Sequence, residues 1–372
     1  MTDVMGIIVA SNINIPPLTD IRSATALPIA GGYRMIDFVL SNMANCGIEN
    51  IGVATEANYS SLMDHIKSGS PWDLDRKNKG LNILPPNINS AKAFEIIKGD
   101  LDILYGIRGF LRRSRETYVI LSLGNCLYNI DFEKVVTSHI ETQADITIIY
   151  KNMQSVSQKE LSRFTLLSLD GEKNVTDIEV CPYYPKSAYA CADVLVMERE
   201  LLMSIIDECT ARGNHDFFKD ALIKKMDGII IKGYEYDGYI DKIDSMRSYF
   251  NNNMKFLDAD LQKEMLHSYL PIYTKNRDLP PSKYGDEACV INSYIADGCL
   301  IEGTVINSVL SGNVVVKKGA VVRNSILMQG AVAEENVVLE YAVLDKEVRV
   351  TEGKKLIGQE NYPIPVAKGI VV

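Results

Sequence analysis

Histidine is scarce in this chain, and cysteine follows no pattern. The four histidines (65, 139, 215 and 267) have neither triad nor metal spacing, and the seven cysteines (46, 126, 181, 191, 209, 289 and 299) form no C-x-x-C pair. An odd number of scattered thiols argues against a disulfide framework or a zinc site and for free cysteines in a reducing compartment. No apolar run approaches the roughly 18–20 residues of a membrane helix. The opening MTDVMGIIVASNIN has no basic segment before its apolar stretch, so it does not read as a secretory leader. A cytoplasmic protein with no membrane partner is expected. A basic excess is also missing: 39 Lys and Arg stand against 48 Asp and Glu, a formal charge of −9. No nucleic-acid partner is expected from such a field. What is present is a globular composition, 47% apolar and 23% charged, over 372 residues, a length that favours two domains.

Two rhythms divide the chain. Up to about residue 250, short β-branched or aliphatic runs (MGIIVA, NIGVAT, YVILSL, ADITIIY, ADVLVM) alternate with helical stretches such as SSLMDHIKSG and FEKVVTSHIETQ. That order predicts an α/β domain with a helix-covered sheet over residues 1–250. Residues 251–287 read as a helix and a linker containing Pro271, Pro280 and Pro281. From 288 to 372 the step is six: Val309, Val315, Val321 and Leu327, then Val332, Val338, Leu344 and Val350 in a shifted phase. Asn-Ser recurs at 292, 307 and 324. Such hexads predict a parallel β-helix, with these aliphatic residues stacked inward.

The order of parts and several segments resemble the ADP-glucose pyrophosphorylase (glucose-1-phosphate adenylyltransferase) family. These segments are PLTDIRSATALPIAGGYRMIDFVLSNMANCGI (17–48), SGSPWDLDR (68–76), ILPP (83–86), GDLDILYG (99–106), HDFFKD (215–220) and the coil from NSYIADGCLIEG onward. The resemblance implies a Rossmann-like nucleotidyltransferase domain with a mixed sheet, followed by a left-handed parallel β-helix of hexapeptide repeats. It implies a reaction in which glucose 1-phosphate attacks the α-phosphorus of ATP, with Mg as the family's metal. Such chemistry needs a phosphate cradle, metal-holding carboxylates and a cation on the sugar phosphate.

Against that resemblance, all three parts are altered. No glycine, lysine or arginine occurs between Ile7 and Ile21, so a backbone cradle for a triphosphate is missing. The family arginine after the glycine turn aligns with about Asn14, and a family lysine aligns with Ala24. The two metal aspartates align with Asn125, in the strand-tip sequence YVILSLGNC, and with Lys242. One unit charge beside another at about 4 Å costs ~4 kcal/mol at an effective dielectric near 20, and a divalent ion doubles the cost. The sugar-phosphate lysine aligns with Cys181, and the Ser-Met-Gly that follows aligns with Cys191-Ala192-Asp193, where an acid would repel phosphate. Two loop residues that relay regulation in the family align with Glu56 and Ile96. Arg22 and Arg34 remain as candidates for binding an anionic effector, with surface or intradomain salt bridges as the alternative. Trp72, the only tryptophan, is expected to pack.

The expectation is therefore a regulatory, catalytically deficient subunit acting in glycogen synthesis. It would need no cofactor of its own, pair with a catalytic subunit in a hetero-tetramer, and respond to an anionic metabolite. One alternative is a weakly active adenylyltransferase whose metal site is rebuilt on Asp244 or Asp102; another is a sugar-phosphate sensor without catalysis. Acyl transfer, common among hexapeptide coils, is disfavoured because no histidine follows His267.

Overall fold

The computed structural model describes residues 3–10, 13–56, 58–85 and 97–372. Ile96 lies outside the described residues. The chain divides into two compact units, neither contiguous in sequence. The first comprises residues 1–12, 36–242 and 269–273; the second comprises 13–35, 243–268 and 274–372. A division at residue 250 therefore differs from the observed one, because residues 13–35 cluster with the coil.

The first unit is built on a nine-stranded mixed sheet. Its strands are β1 (Val4–Ala10), β2 (Asn50–Thr55), β3 (Gly80–Leu84), β4 (Tyr118–Ser122), β5 (Ile146–Asn152), β6 (Thr165–Leu169), β7 (Val175–Val180), β8 (Tyr189–Glu198) and β9 (Ile231–Glu235). The parallel core runs β4-β1-β2-β3. β8 then pairs antiparallel with β4, β5 and β6. Every residue of β1 is buried, the continuous apolar run expected of a strand covered on both faces. Helices Asp100–Gly106 and Arg199–Ala211 pack Leu101, Leu104, Leu202 and Ile205 into one core with β1, β4 and β8. Trp72 is buried and donates its indole N–H to Ser41 Oγ at 3.1 Å. Its ring meets the edge of His65, which is paired with Asp37.

The second unit contains three parallel five-stranded sheets, one for each face of the left-handed β-helix. The hexads gave the coil but not its phase. Leu310, Val316, Val322, Ala333 and Leu339 form the inner core, whereas Val315, Val321, Val332 and Val338 are only half-buried. Neighbouring residues of a strand point to opposite faces, and here both are apolar, so the spacing of six could not tell them apart. Leu327, Leu344 and Val350 do point inward.

The Asn-Ser repeat marks one corner of the coil. Asn292, Asn307 and Asn324 all have φ near +45°, a left-handed conformation that asparagine tolerates. Each following serine serves as a link in a ladder. The Oγ atoms of Ser293, Ser308 and Ser325 donate to the carbonyls of Ile291, Ile306 and Arg323. They accept the N–H groups of Ser308, Ser325 and Ala342 at 3.1 Å, one coil along.

One sheet of the coil has buried outer residues, Val309, Ile326 and Val343. Residues 13–35 and helix Met246–Lys255 belong to the same unit. There, Gly31 (φ +70°) leaves no room for a Cβ beside the Tyr294 ring, Phe250 meets Tyr341, and Asn253 accepts the Ala30 N–H at 3.1 Å.

Candidate functional site

At the carboxyl end of β4 the chain turns through Gly124, at φ +72°, into Asn125. The short strand Cys126–Leu127 then pairs antiparallel with Asp241–Lys242, which sets Lys242 opposite Cys126. Hydrogen bonding thus fixes Lys242 one residue from Asn125 in the ladder. The third participant comes from a bulge in β8, where the register shifts between Cys191 and Leu195. At that bulge Asp193 holds φ +55°, an uncommon conformation for a residue with a side chain. The Asp193 carbonyl accepts the Leu123 N–H at 3.0 Å, so the bulge is tied to the tip of β4.

Lys242 Nζ donates to Asp193 Oδ2 at 2.8 Å, with the two side chains only 12% and 4% exposed. Burial opposes the ammonium charge, yet the Asp193 carboxylate outweighs it and raises the lysine pKa. Asp241 points to a separate partner, Arg163, at 3.6 Å. Arg163 also bonds to the Lys242 carbonyl. Asn125 is 8% exposed and accepts a weak thiol contact from Cys126.

The rest of the neighbourhood is acidic. Asp100 is pushed up to about 7 by burial and then by the like charges of Asp216, Asp193 and Glu56, with Lys242 acting the other way. Asp102 is held by His215 Nδ1 at 2.8 Å and accepts the Lys98 N–H. Within the second unit, taken by itself, Asp244 accepts a hydrogen bond from Ser248 Oγ at 2.9 Å. No group of three or more His, Cys, Asp or Glu side chains able to hold a metal occurs among the described residues.

The nucleotidyl transferase family pattern matches residues 14–251, and a GlmU-like carboxyl-terminal hexapeptide pattern matches residues 280–362. Glucose-1-phosphate adenylyltransferase of Bacillus mycoides is 32% identical over 312 residues, covering 83% of this chain and 82% of that protein. The chain belongs to the ADP-glucose pyrophosphorylase family. Glycogen biosynthesis protein GlgD of Bacillus subtilis is 32% identical over 363 residues, covering 96% of this chain and 93% of that protein. Glucose-1-phosphate adenylyltransferase of Geobacillus stearothermophilus is 32% identical over 311 residues, covering 82% of this chain and 79% of that protein.

Among ADP-glucose pyrophosphorylases, the resemblance implies two metal aspartates where Asn125 and Lys242 stand. The side chains present do not fit a divalent ion. One ligand is an amide, the other is a cation, and the nearby carboxylate of Asp193 is already neutralised. Cys181, at the sugar-phosphate lysine position, is exposed at φ +47°. Asn14 is exposed and Ala24 buried, both within the second unit. The candidate site positions are therefore not all in one unit.

The second unit also holds the effector candidates. Arg22 is 2% exposed and donates to Asp345 Oδ1 at 2.8 Å, while Arg34 is likewise buried. Sequence reasoning missed two neighbours, Lys346 and Arg277. Burial, followed by Arg34, Arg22 and Arg277, drives Lys346 down to about 7, with Asp345 opposing. Sequence reasoning also missed the role of Asp193. Its signal was a pair of opposite charge changes, an acid gained at 193 and a base gained at 242. Only the sheet topology shows that the two meet.

Proposed function

We propose that this chain is a regulatory, catalytically deficient subunit of an ADP-glucose pyrophosphorylase, working in the cytoplasm in glycogen synthesis. The observation that carries the reading is the Lys242–Asp193 ion pair. It occupies the place where the family resemblance implies a metal held between two aspartates. Transferase chemistry on a triphosphate needs concentrated positive charge around the phosphates; here Lys242 is already paired with Asp193 and Arg163 lies beside Asp241. The near full-length match to a glycogen biosynthesis protein supports the pathway.

The proposed regulatory input is an anionic metabolite. Arg34, Arg22 and Arg277 all act on Lys346 electrostatically, with Asp345 opposing. Such a gathering of cations suits a phosphate or carboxylate ligand. Arg22 serves as the anchored member, through Asp345, and the half-buried Lys346 as the one that meets the ligand. The catalytic partner is a related subunit in a hetero-tetramer.

The test is ADP-glucose formation by the purified chain alone and mixed with a catalytic relative. Turnover alone is expected at background, and mixing is expected to raise the partner's rate or alter its effector response. Turnover by the unmixed chain at the partner's rate, or a partner whose kinetics are untouched by mixing, refutes the reading.

A further inference from the structure

The loop between β7 and β8 carries two strongly exposed aromatic side chains that are adjacent in sequence. Tyr183 is 84% exposed and Tyr184 76%. Their rings meet edge to face, centroids 4.7 Å apart and planes at 84°. They present an open aromatic corner on the sequence Cys181-Pro182-Tyr183-Tyr184-Pro185-Lys186. Prolines on both sides limit the backbone freedom of the pair, so little ordering is left to lose on binding.

The stem is pinned on both sides. The Cys181 N–H donates to the Phe164 carbonyl at 3.2 Å, and the Lys186 N–H to the Glu179 carboxylate at 3.1 Å. Ser187 Oγ donates to the Leu167 carbonyl at 2.6 Å. The loop's one cation, Lys186, lies 3.5 Å from Glu179. The surface is therefore aromatic, projecting and charge-compensated. It lacks what a phosphorylated ligand requires, an uncompensated cation. It suits a neutral ligand whose C–H faces settle on the electron-rich faces of aromatic rings, as the pyranose rings of a polysaccharide do.

We propose that Tyr183 and Tyr184 form a contact site for an α-glucan chain. This rests on the glycogen-synthesis reading, because the product sugar nucleotide is consumed by glucosyl transfer to such a chain. The loop would keep the assembly beside the polymer that uses its product.

The purified full chain, without any partner subunit, is run on native gels containing soluble glycogen. The wild-type chain is expected to be retarded. Tyr183→Ala with Tyr184→Ala should weaken the interaction by about tenfold, the scale of one or two lost aromatic contacts. Tyr183→Phe with Tyr184→Phe should keep most of it. Both rings are exposed, so thermal unfolding of the alanine variant checks that the fold is intact. An unretarded wild-type chain, or an alanine variant retarded as strongly as wild type, overturns the proposal. So does loss of catalytic-subunit binding by the alanine variant with glycogen retardation unchanged, which would assign the loop to a protein partner. The gel uses no partner, so a failed mixing assay leaves its outcome standing, and an unretarded chain leaves the mixing assay standing.

Discussion

Two buried ion pairs of the same length sit in surroundings of opposite sign. Lys242 meets Asp193 at 2.8 Å, and Arg22 meets Asp345 at 2.8 Å. Around the first, acids accumulate, and a carboxyl, Asp100, is pushed up to about 7. Around the second, bases accumulate, and an ammonium, Lys346, is pushed down to about 7. An ion pair is thus a poor guide to what a site binds; the uncompensated charge around it decides. On the proposed function, the acidic surroundings of the first pair disfavour a triphosphate. On the same proposal, the basic surroundings of the second pair favour an anion.

The comparison breaks most sharply at Lys242. Lys242→Met leaves Asp193 buried without its cation, which should cost about 3–5 kcal/mol of stability. Adding Asp193→Asn should restore most of that loss, because a neutral pair removes the stranded charge. Arg22→Met should cost less, about 1–3 kcal/mol, since Lys346 still interacts electrostatically with Asp345. Urea unfolding of the three variants reads the difference. Equal losses at Lys242 and Arg22, or no recovery in the double variant, would show that the surroundings do not matter.

Much of this was legible in the residues, and the exceptions have physical reasons. The six-residue step fixed the β-helix because every coil must bury the same kind of side chain. It misplaced the inner row by one residue at Val309, Val315, Val321, Val332 and Val338, where strands are apolar on both faces. Asn125 and Lys242 stood out because each departs from a family carboxylate. Asp193 was read as repelling phosphate, and its pairing with Lys242, 49 residues away, depends on a bulge that no local pattern reports. The grouping of residues 13–35 with the coil was hidden because that segment carries no repeat. Lys346 and Arg277 were missed for a similar reason: cations distant in sequence become a cluster only when the chain folds.

The two displaced groups sharpen the comparison through pH. Asp100 keeps its proton in the folded chain until about pH 7, against an ordinary value of 3.8. The unfolded chain therefore binds fewer protons between those values, and stability falls as pH rises through that window. Lys346 loses its proton near pH 7 in the folded chain, against an ordinary 10.5. There the unfolded chain binds more protons, and stability rises as pH rises from about 7 to 10.5. Each limb should amount to about 1–2 kcal/mol once solvent screening of these half-buried groups is allowed for. Asp100→Asn should flatten the acid limb alone, and Lys346→Met the alkaline limb alone. Denaturant midpoints from pH 4 to 10 read both. If one substitution flattened both limbs, the two fields would not be separate.

The smallest expected effect concerns the proposed anion site. Filling it would lower the field that Arg34, Arg22 and Arg277 impose on Lys346, so binding would draw a proton onto that lysine. A neighbouring anion stabilises the ammonium, while Asp345 already contributes in the same direction and Tyr249, buried beside the pair, has its own pKa raised by burial and by Asp345. Affinity for inorganic pyrophosphate should then be about threefold tighter at pH 6 than at pH 8. Lys346→Ala should weaken binding and abolish that pH dependence, whereas Arg34→Ala should weaken binding and keep it. Calorimetry in two buffers of different ionisation enthalpy measures the proton directly. Uptake that persists in Lys346→Ala would mean that another group is the one relieved by the ligand, and the charge surplus would have to be reassigned to it.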